Sequence, residues 1–283
     1  MNVTKFTTVS GEVRVGLVES DRITPLGLFD PYHCLGDLLA ADDPMGLIGS
    51  LTPEPALGLD QVTFLPPIDH QEVWAAGVTY KRSQTARMEE SEAAASCYDQ
   101  VYEADRPELF FKATPSRVCG HLQPLRIRQD SKWNVPEPEV TLVLSPELRI
   151  LGLTVGNDMS SRDIEGENPL YLPQAKCYDQ SAGLGPWLTL MPELPPVDQI
   201  KIHLSIDRGG DIVYDAHTAA DQMARSFDDL VGWLGRDNTF QHGAFLMTGT
   251  GIVPTSDFTL LPGDQVSISI NCVGTLTNPI VQG

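Results

Sequence analysis

A β-rich α+β fold is predicted by three observations on this 283-residue chain. Apolar tracts of strand length recur along it, Pro and Gly turns separate many of them, and few stretches have a helical composition. The length suits one large domain or two smaller ones, and 41% hydrophobic with 20% charged residues is ordinary for a globular protein.

Residues 1–65 read as a small N-terminal α+β domain. Lys5–Ser10, Glu12–Val18 and Arg22–Thr24 are its strands, with Gly11 and Glu19-Ser20-Asp21 as turns. A helix is expected around Tyr32–Ala41. Pro53, Pro55, Pro66 and Pro67 mark a linker out of this unit.

A second, larger unit is expected over 70–283. Val73–Val78 reads as a buried strand, and Tyr80–Asp105, rich in Ala and Glu without Pro or Gly, as a helix stopped by Pro107. Leu109–Lys112 follows as a strand. Further strands are expected at Leu142–Leu144, Leu151–Val155, Leu184–Leu190, Ile200–Ile206, Ile212–Tyr214 and Val266–Ile270. One clear helix, Phe227–Leu234, has Ser226 as N-cap and Asp228 and Asp229 in its first turn.

Nineteen basic against thirty-eight acidic residues leave a net charge of −19, which opposes binding to nucleic acid or to an anionic membrane surface. No apolar run is long enough to span a bilayer, and the N-terminus lacks a signal-peptide core, so a cytoplasmic location is expected. Cys34, Cys97, Cys119, Cys177 and Cys272 are scattered, with no Cys-x-x-Cys pair. That pattern argues against a disulfide framework and against zinc.

The chemistry concentrates in Glu137-Pro138-Glu139, Gly156-Asn157-Asp158 and Lys176. In a strand the side chains of Glu137 and Glu139 point to one face, where two carboxylates repel unless a proton or cation lies between them. The interval to Asp158 holds a strand, a turn and a returning strand, so a hairpin can bring a third carboxylate to the same point. Three carboxylates suit a hard divalent cation, Mg²⁺, Mn²⁺ or Ca²⁺, with positions left open.

Val135-Pro136-Glu137-Pro138-Glu139, Gly156-Asn157-Asp158-Met159-Ser160-Ser161-Arg162-Asp163, Lys176 and Gly183-Leu184-Gly185-Pro186 occur in that order. With Gly249-Thr250-Gly251 and Leu261-Pro262-Gly263-Asp264 they resemble the fumarylacetoacetate hydrolase superfamily over roughly residues 70–283. The resemblance implies a mixed β-sandwich roll, a homodimer or homotetramer, and Glu137, Glu139 and Asp158 as metal ligands. A 2-oxo acid would chelate the ion through a carboxylate oxygen and its ketone, which acidifies the protons on C3. Lys176 matches the family's active-site lysine, and beside a cation its proton is lost more easily. Lys112 would hold the substrate carboxylate or a ligand carboxylate, and Arg162 would touch substrate or clamp Asp158. Thr250 lies in a Gly-flanked loop able to bind a carboxylate.

Two departures select a branch. Where the hydrolases carry a water-activating histidine this chain has Ser83, left as a substrate contact. The loop Glu165–Lys176 looks like that of the 2-keto-3-deoxy-arabinonate type dehydratases. The resemblance therefore implies dehydration of a 2-keto-3-deoxy sugar acid to 2-oxoglutarate semialdehyde. Lys176 or a nearby Glu would be the base, with Lys176 otherwise a neutral hydrogen-bond partner to the enolate, Glu108, Glu165 or Glu167 the acid, and the Tyr80–Asp105 helix a lid. The rival is carbon–carbon hydrolysis of an acylpyruvate, for which His33, His70 or His121 would have to reach the site. A third reading is a binding protein that keeps the metal without turnover.

Overall fold

The structure, a computed structural model, describes residues 1–81 and 100–283. Among the described residues the N-terminal strands are β1 Asn2–Thr8, β2 Val13–Glu19, β3 Arg22–Gly27, β4 Thr52–Pro53, β5 Leu57–Gly58 and β6 Val62–Leu65. Then come β7 Glu72–Gly77, β8 Glu108–Ala113, β9 Val118–Cys119, β10 Leu125–Ile127, β11 Asn134–Val135, β12 Pro138–Leu144 and β13 Ile150–Asp158. The last are β14 Ser160–Ser161, β15 Ala182–Leu190, β16 Lys201–Arg208, β17 Asp211–Ala219, β18 Ala244–Met247, β19 Gln265–Ile270 and β20 Gly274–Gln282.

A large mixed sheet runs in the order β4-β3-β2-β1-β15-β13-β12-β18-β7-β8. A five-stranded sheet, β10-β20-β19-β16-β17, packs against it. The central strand β12 is buried along its whole length, and its alternation serves two cores. Val140, Leu142 and Leu144 join Ile202, Leu204, Ile206, Val266 and Ile268 of the smaller sheet. Val143, with Phe245 of β18, faces Val3, Leu26, Leu35 and Leu38 from the N-terminal residues. The N-terminal strands continue the large sheet, because β1 pairs antiparallel with β15 at Asn2↔Thr189 and Val3↔Leu188.

Differences from the sequence expectations have local causes. The helix expected at Tyr32–Ala41 is confined to Leu35–Leu39, since Asp30-Pro31 occupies a turn before it. A second helix, Pro44–Ser50, starts behind Asp43, whose carboxylate accepts the Gly46 N–H. β6 lies inside the stretch read as linker, and β20 runs through Asn278-Pro279. The Glu165–Lys176 loop contains parts of two short helices, Arg162–Glu167 and Leu172–Lys176. At Phe227–Leu234 the Ser226 hydroxyl accepts the Asp229 N–H at 3.1 Å, as an N-cap should. Of the helix expected over Tyr80–Asp105, residues 100–103 are helical; Ser83, Cys97 and most of that segment lie outside the described residues. No helix among the described residues is long and apolar enough to cross a membrane.

Candidate active site

The β12–β13 hairpin sets the geometry. Its register pairs Pro138 with Asn157 and Glu139 with Gly156. One step beyond the ladder, the Asp158 N–H donates to the Glu137 carbonyl at 3.0 Å. Directly opposed residues project to one face, so Glu137, Glu139 and Asp158 converge there. Each offers a carboxylate oxygen within 4.8 Å of the others, and all three residues are buried. Gly156 is needed opposite Glu139, because a Cβ there would run into Thr141 Oγ1.

Buried basic groups answer these charges. Lys176, at the end of the Leu172–Lys176 helix, donates through Nζ to Glu137 Oε2 at 2.6 Å and Asp158 Oδ2 at 2.8 Å. Its Nζ also stands 5.6 Å from the Phe110 ring centroid, a cation–π contact. Arg162 Nη2 donates to Glu137 Oε1 at 2.6 Å, so the carboxylate it clamps is Glu137, in place of the Asp158 considered from sequence. Lys112, fully buried on β8, donates to the Met159 carbonyl at 2.9 Å and the Lys176 carbonyl at 2.6 Å. Its Nζ is 2.5 Å from Asp158 Oδ1. Of the two partners weighed for Lys112, the structure supplies the ligand carboxylate. Burial pushes the Lys112 ammonium pKa down, and Asp158 opposes that shift.

Glu139 stands apart. The described residues give it no ion-pair partner; the Gly249 N–H donates to its Oε2 at 2.6 Å. Burial, then Asp158 and Glu137, hold its carboxyl pKa well above the ordinary range. A hard divalent cation is the group that relieves three buried carboxylates of this kind, so the donor set fits one. Gly249 has φ +95°, and a Cβ there would run into Thr79 Oγ1; only glycine presents the N–H in that way.

The pocket over the carboxylates is walled by Ala76, Gly77, Val78, Phe110, Arg162, Lys176, Gly249 and Thr250. Val78 is β-branched at φ +53°, a strained conformation beside the site. Thr250 lines the pocket, but its hydroxyl is engaged locally, donating to the Ile252 carbonyl at 3.1 Å and accepting the Ile252 N–H at 3.2 Å. Glu108 packs against Gly77, a wall residue, but does not itself line the pocket. Glu165 is fully buried one layer away, accepting the Ser160 hydroxyl at 3.1 Å, and does not line the pocket; neither does Glu167.

Among the described residues no histidine lines this pocket. His33 lies 3.4 Å from Asp30, His70 near Cys34, and His121 Nδ1 accepts the Thr277 N–H. Cys177 donates its thiol to the Phe111 carbonyl at 2.9 Å, and burial pushes its pKa up, so it is no activated nucleophile. Sequence reasoning missed the Gly249 contact to Glu139, the Phe110 ring and the wall at Ala76 to Val78. Their signals were the Gly249-Thr250-Gly251 triplet, the Gly77–Ser83 stretch and Phe110-Phe111-Lys112, none of which showed these contacts.

A mixed β roll that gathers three acids and three bases at the end of a hairpin defines a class of proteins rather than one activity. The fumarylacetoacetate hydrolase C-terminal family model matches residues 72–281, and the chain belongs to that family. Among curated relatives, a probable 2-keto-3-deoxyxylonate dehydratase of Haloferax volcanii is 48% identical over 214 residues, 76% of this chain and 73% of the relative. The 2-dehydro-3-deoxy-D-arabinonate dehydratase of Saccharolobus solfataricus is 38% identical over 249 residues, 87% of this chain and 82% of the relative. A solved structure of 2-keto-3-deoxy-D-arabinonate dehydratase complexed with magnesium and 2,5-dioxopentanoate superposes with a TM-score of 0.86. It is 31% identical and covers 100% of this chain and 99% of that one.

Proposed function

We propose that this chain is a divalent-metal-dependent dehydratase of a 2-keto-3-deoxy sugar acid. It removes water from a 2-keto-3-deoxypentonate such as 2-keto-3-deoxy-D-arabinonate and yields 2-oxoglutarate semialdehyde (2,5-dioxopentanoate). The observation that carries this reading is the buried Glu137–Glu139–Asp158 trio with Lys176 Nζ bridging two of its members. The relatives named above support the substrate class, one of them with magnesium and 2,5-dioxopentanoate bound.

Glu137, Glu139 and Asp158 would hold Mg²⁺, which when bound supplies a Lewis acid for a C1 carboxylate and C2 ketone and lowers the pKa of the C3 protons. Lys176, at the pocket wall, takes a C3 proton at Nζ. The C4 hydroxyl leaves as water with a proton from an acid, and Glu108 beside Gly77 is better placed for this than the enclosed Glu165. Transfer of a proton from C5 to C3 then gives the C4–C5 enol, and protonation at C4 with loss of the C5 hydroxyl proton completes the aldehyde. Arg162 and Lys112 act as positioning residues, the first on Glu137 and the second on Asp158. Three carboxylates with the ion would sum to −1, and Arg162 and Lys112 would then leave the site net positive even with Lys176 neutral as the base, which suits an anionic substrate on a chain of net charge −19. Hydrolysis lacks support, since no described histidine reaches the pocket to activate water. We also read the chain as a cytoplasmic homo-oligomer, in keeping with its family.

The test is turnover of 2-keto-3-deoxy-D-arabinonate with Mg²⁺, read as semialdehyde formation. Wild type should turn over and Glu139→Ala should fall by at least about a hundredfold, the scale of losing a principal electrostatic stabiliser. Pyruvate release from acetylpyruvate without any dehydration would overturn the assignment.

A further inference from the structure

A second cluster lies away from the carboxylate pocket. Cys34, Asp37 and His70 each bring a ligand atom within 4.8 Å of the others. Cys34 Sγ is 3.9 Å from His70 Nε2. Around a tetrahedral zinc ion, bonds of about 2.3 Å to sulfur and about 2.0 Å to nitrogen set those atoms roughly 3.6 Å apart. Closing the difference asks for a few tenths of an ångström. The donor set of thiolate, imidazole and carboxylate is that of zinc and differs from the all-oxygen trio at the active site.

The backbone beneath these ligands is fixed by other bonds. The Asp69 carboxylate accepts the Gly36 N–H at 2.7 Å and lies 2.5 Å from Lys5 Nζ. The Gln71 side-chain oxygen accepts the N–H groups of Asp69 and His70 at 3.0 and 3.1 Å. Asp37 accepts the N–H groups of His33 and Cys34 at 2.8 and 3.2 Å. The backbone that carries the ligands is therefore in place before an ion arrives, one part of what a built site requires. The His242 ring is 5.2 Å, centroid to centroid, from that of His70, and both line one cavity; its nitrogens lie outside the 4.8 Å cluster, so it would join as a fourth donor by turning its side chain.

We propose that Cys34, Asp37 and His70, with His242 as the fourth ligand, form a zinc site. It ties the segment before the Leu35–Leu39 helix to the approach to β7 and to the turn before β18. Coordination forms the Zn–S bond and releases the thiol proton to solvent. The scattered cysteines argued against zinc only because the sequence hides which histidines the fold places beside Cys34.

Co²⁺ titration of the full chain in excess Mg²⁺, which fills the oxygen site, tests this. A near-ultraviolet thiolate-to-cobalt charge-transfer band should saturate at one ion per chain and vanish in Cys34→Ser. His70→Ala and His242→Ala should each weaken Co²⁺ binding by at least about tenfold. Zn²⁺ should raise the thermal midpoint of the wild type and leave that of Cys34→Ser unchanged. Absence of the band, or a band that persists in Cys34→Ser, overturns the site; unchanged affinity in His242→Ala overturns the fourth ligand. These readouts are independent of dehydratase activity.

Discussion

Gly249 shows how much a single residue contributes here. Its φ of +95° aims the N–H at Glu139 Oε2, and the neighbouring Thr79 hydroxyl, donating to the Thr248 carbonyl at 2.7 Å, leaves no room for a Cβ. Gly249→Ala must therefore move the loop, at a strain cost on the order of 1–3 kcal/mol. We expect calorimetric Mg²⁺ affinity to fall about tenfold or more, the scale seen when a ligand loses its supporting hydrogen bond. Unchanged affinity would show that the contact does not orient Glu139. This contact was only half legible in the sequence. The spacing of Glu137 and Glu139 declared a shared face, whereas the partner of Glu139 is a backbone group far along the chain. Nothing in a glycine's identity says where its N–H points.

Among the elements, the hairpin was the most legible part. Val140–Leu144 and Ile150–Val155 are strand-length apolar tracts joined by a short polar turn, and the ladder follows from them. Lys176 was legible as a residue but not in its setting, because the Pro and polar residues between Glu165 and Lys176 read as loop. β20 was hidden by Asn278-Pro279, yet it closes the smaller sheet against β19 and receives β10 in parallel. One of its fastenings is titratable. Thr277 donates its N–H to His121 Nδ1 at 3.1 Å, which requires a ring nitrogen free of a proton. Burial holds the His121 pKa below the usual 6.5. The unfolded chain then takes up this proton at a higher pH than the folded one. The stability contributed by the neutral ring is present above pH 6.5 and is lost as pH falls through the folded value. The urea midpoint should drop over that interval, and His121→Gln should flatten the drop. An unaltered pH profile in the variant would assign the acid sensitivity elsewhere.

For the molecule as a whole, the roll places a hard, buried oxygen cluster where two cores meet along β12. Val140, Leu142 and Leu144 anchor one side and Val143 the other, so Glu139 sits on, and Glu137 just ahead of, a strand that cannot shift without disturbing both. The β-rich class was visible in the alternation of apolar tracts and turns. The joining of residues 1–65 to the same sheet was not, because strand pairing between β1 and β15 spans nearly two hundred residues and leaves no local trace. On our reading Glu137, Glu139 and Asp158 together hold one divalent ion. Crystals grown with Mn²⁺ should show a single anomalous peak at this site, bonded to an oxygen from each of the three carboxylates, with Lys176 beside it. No peak there, with Lys112, Arg162 and Lys176 still paired with Glu137 and Asp158, would contradict it.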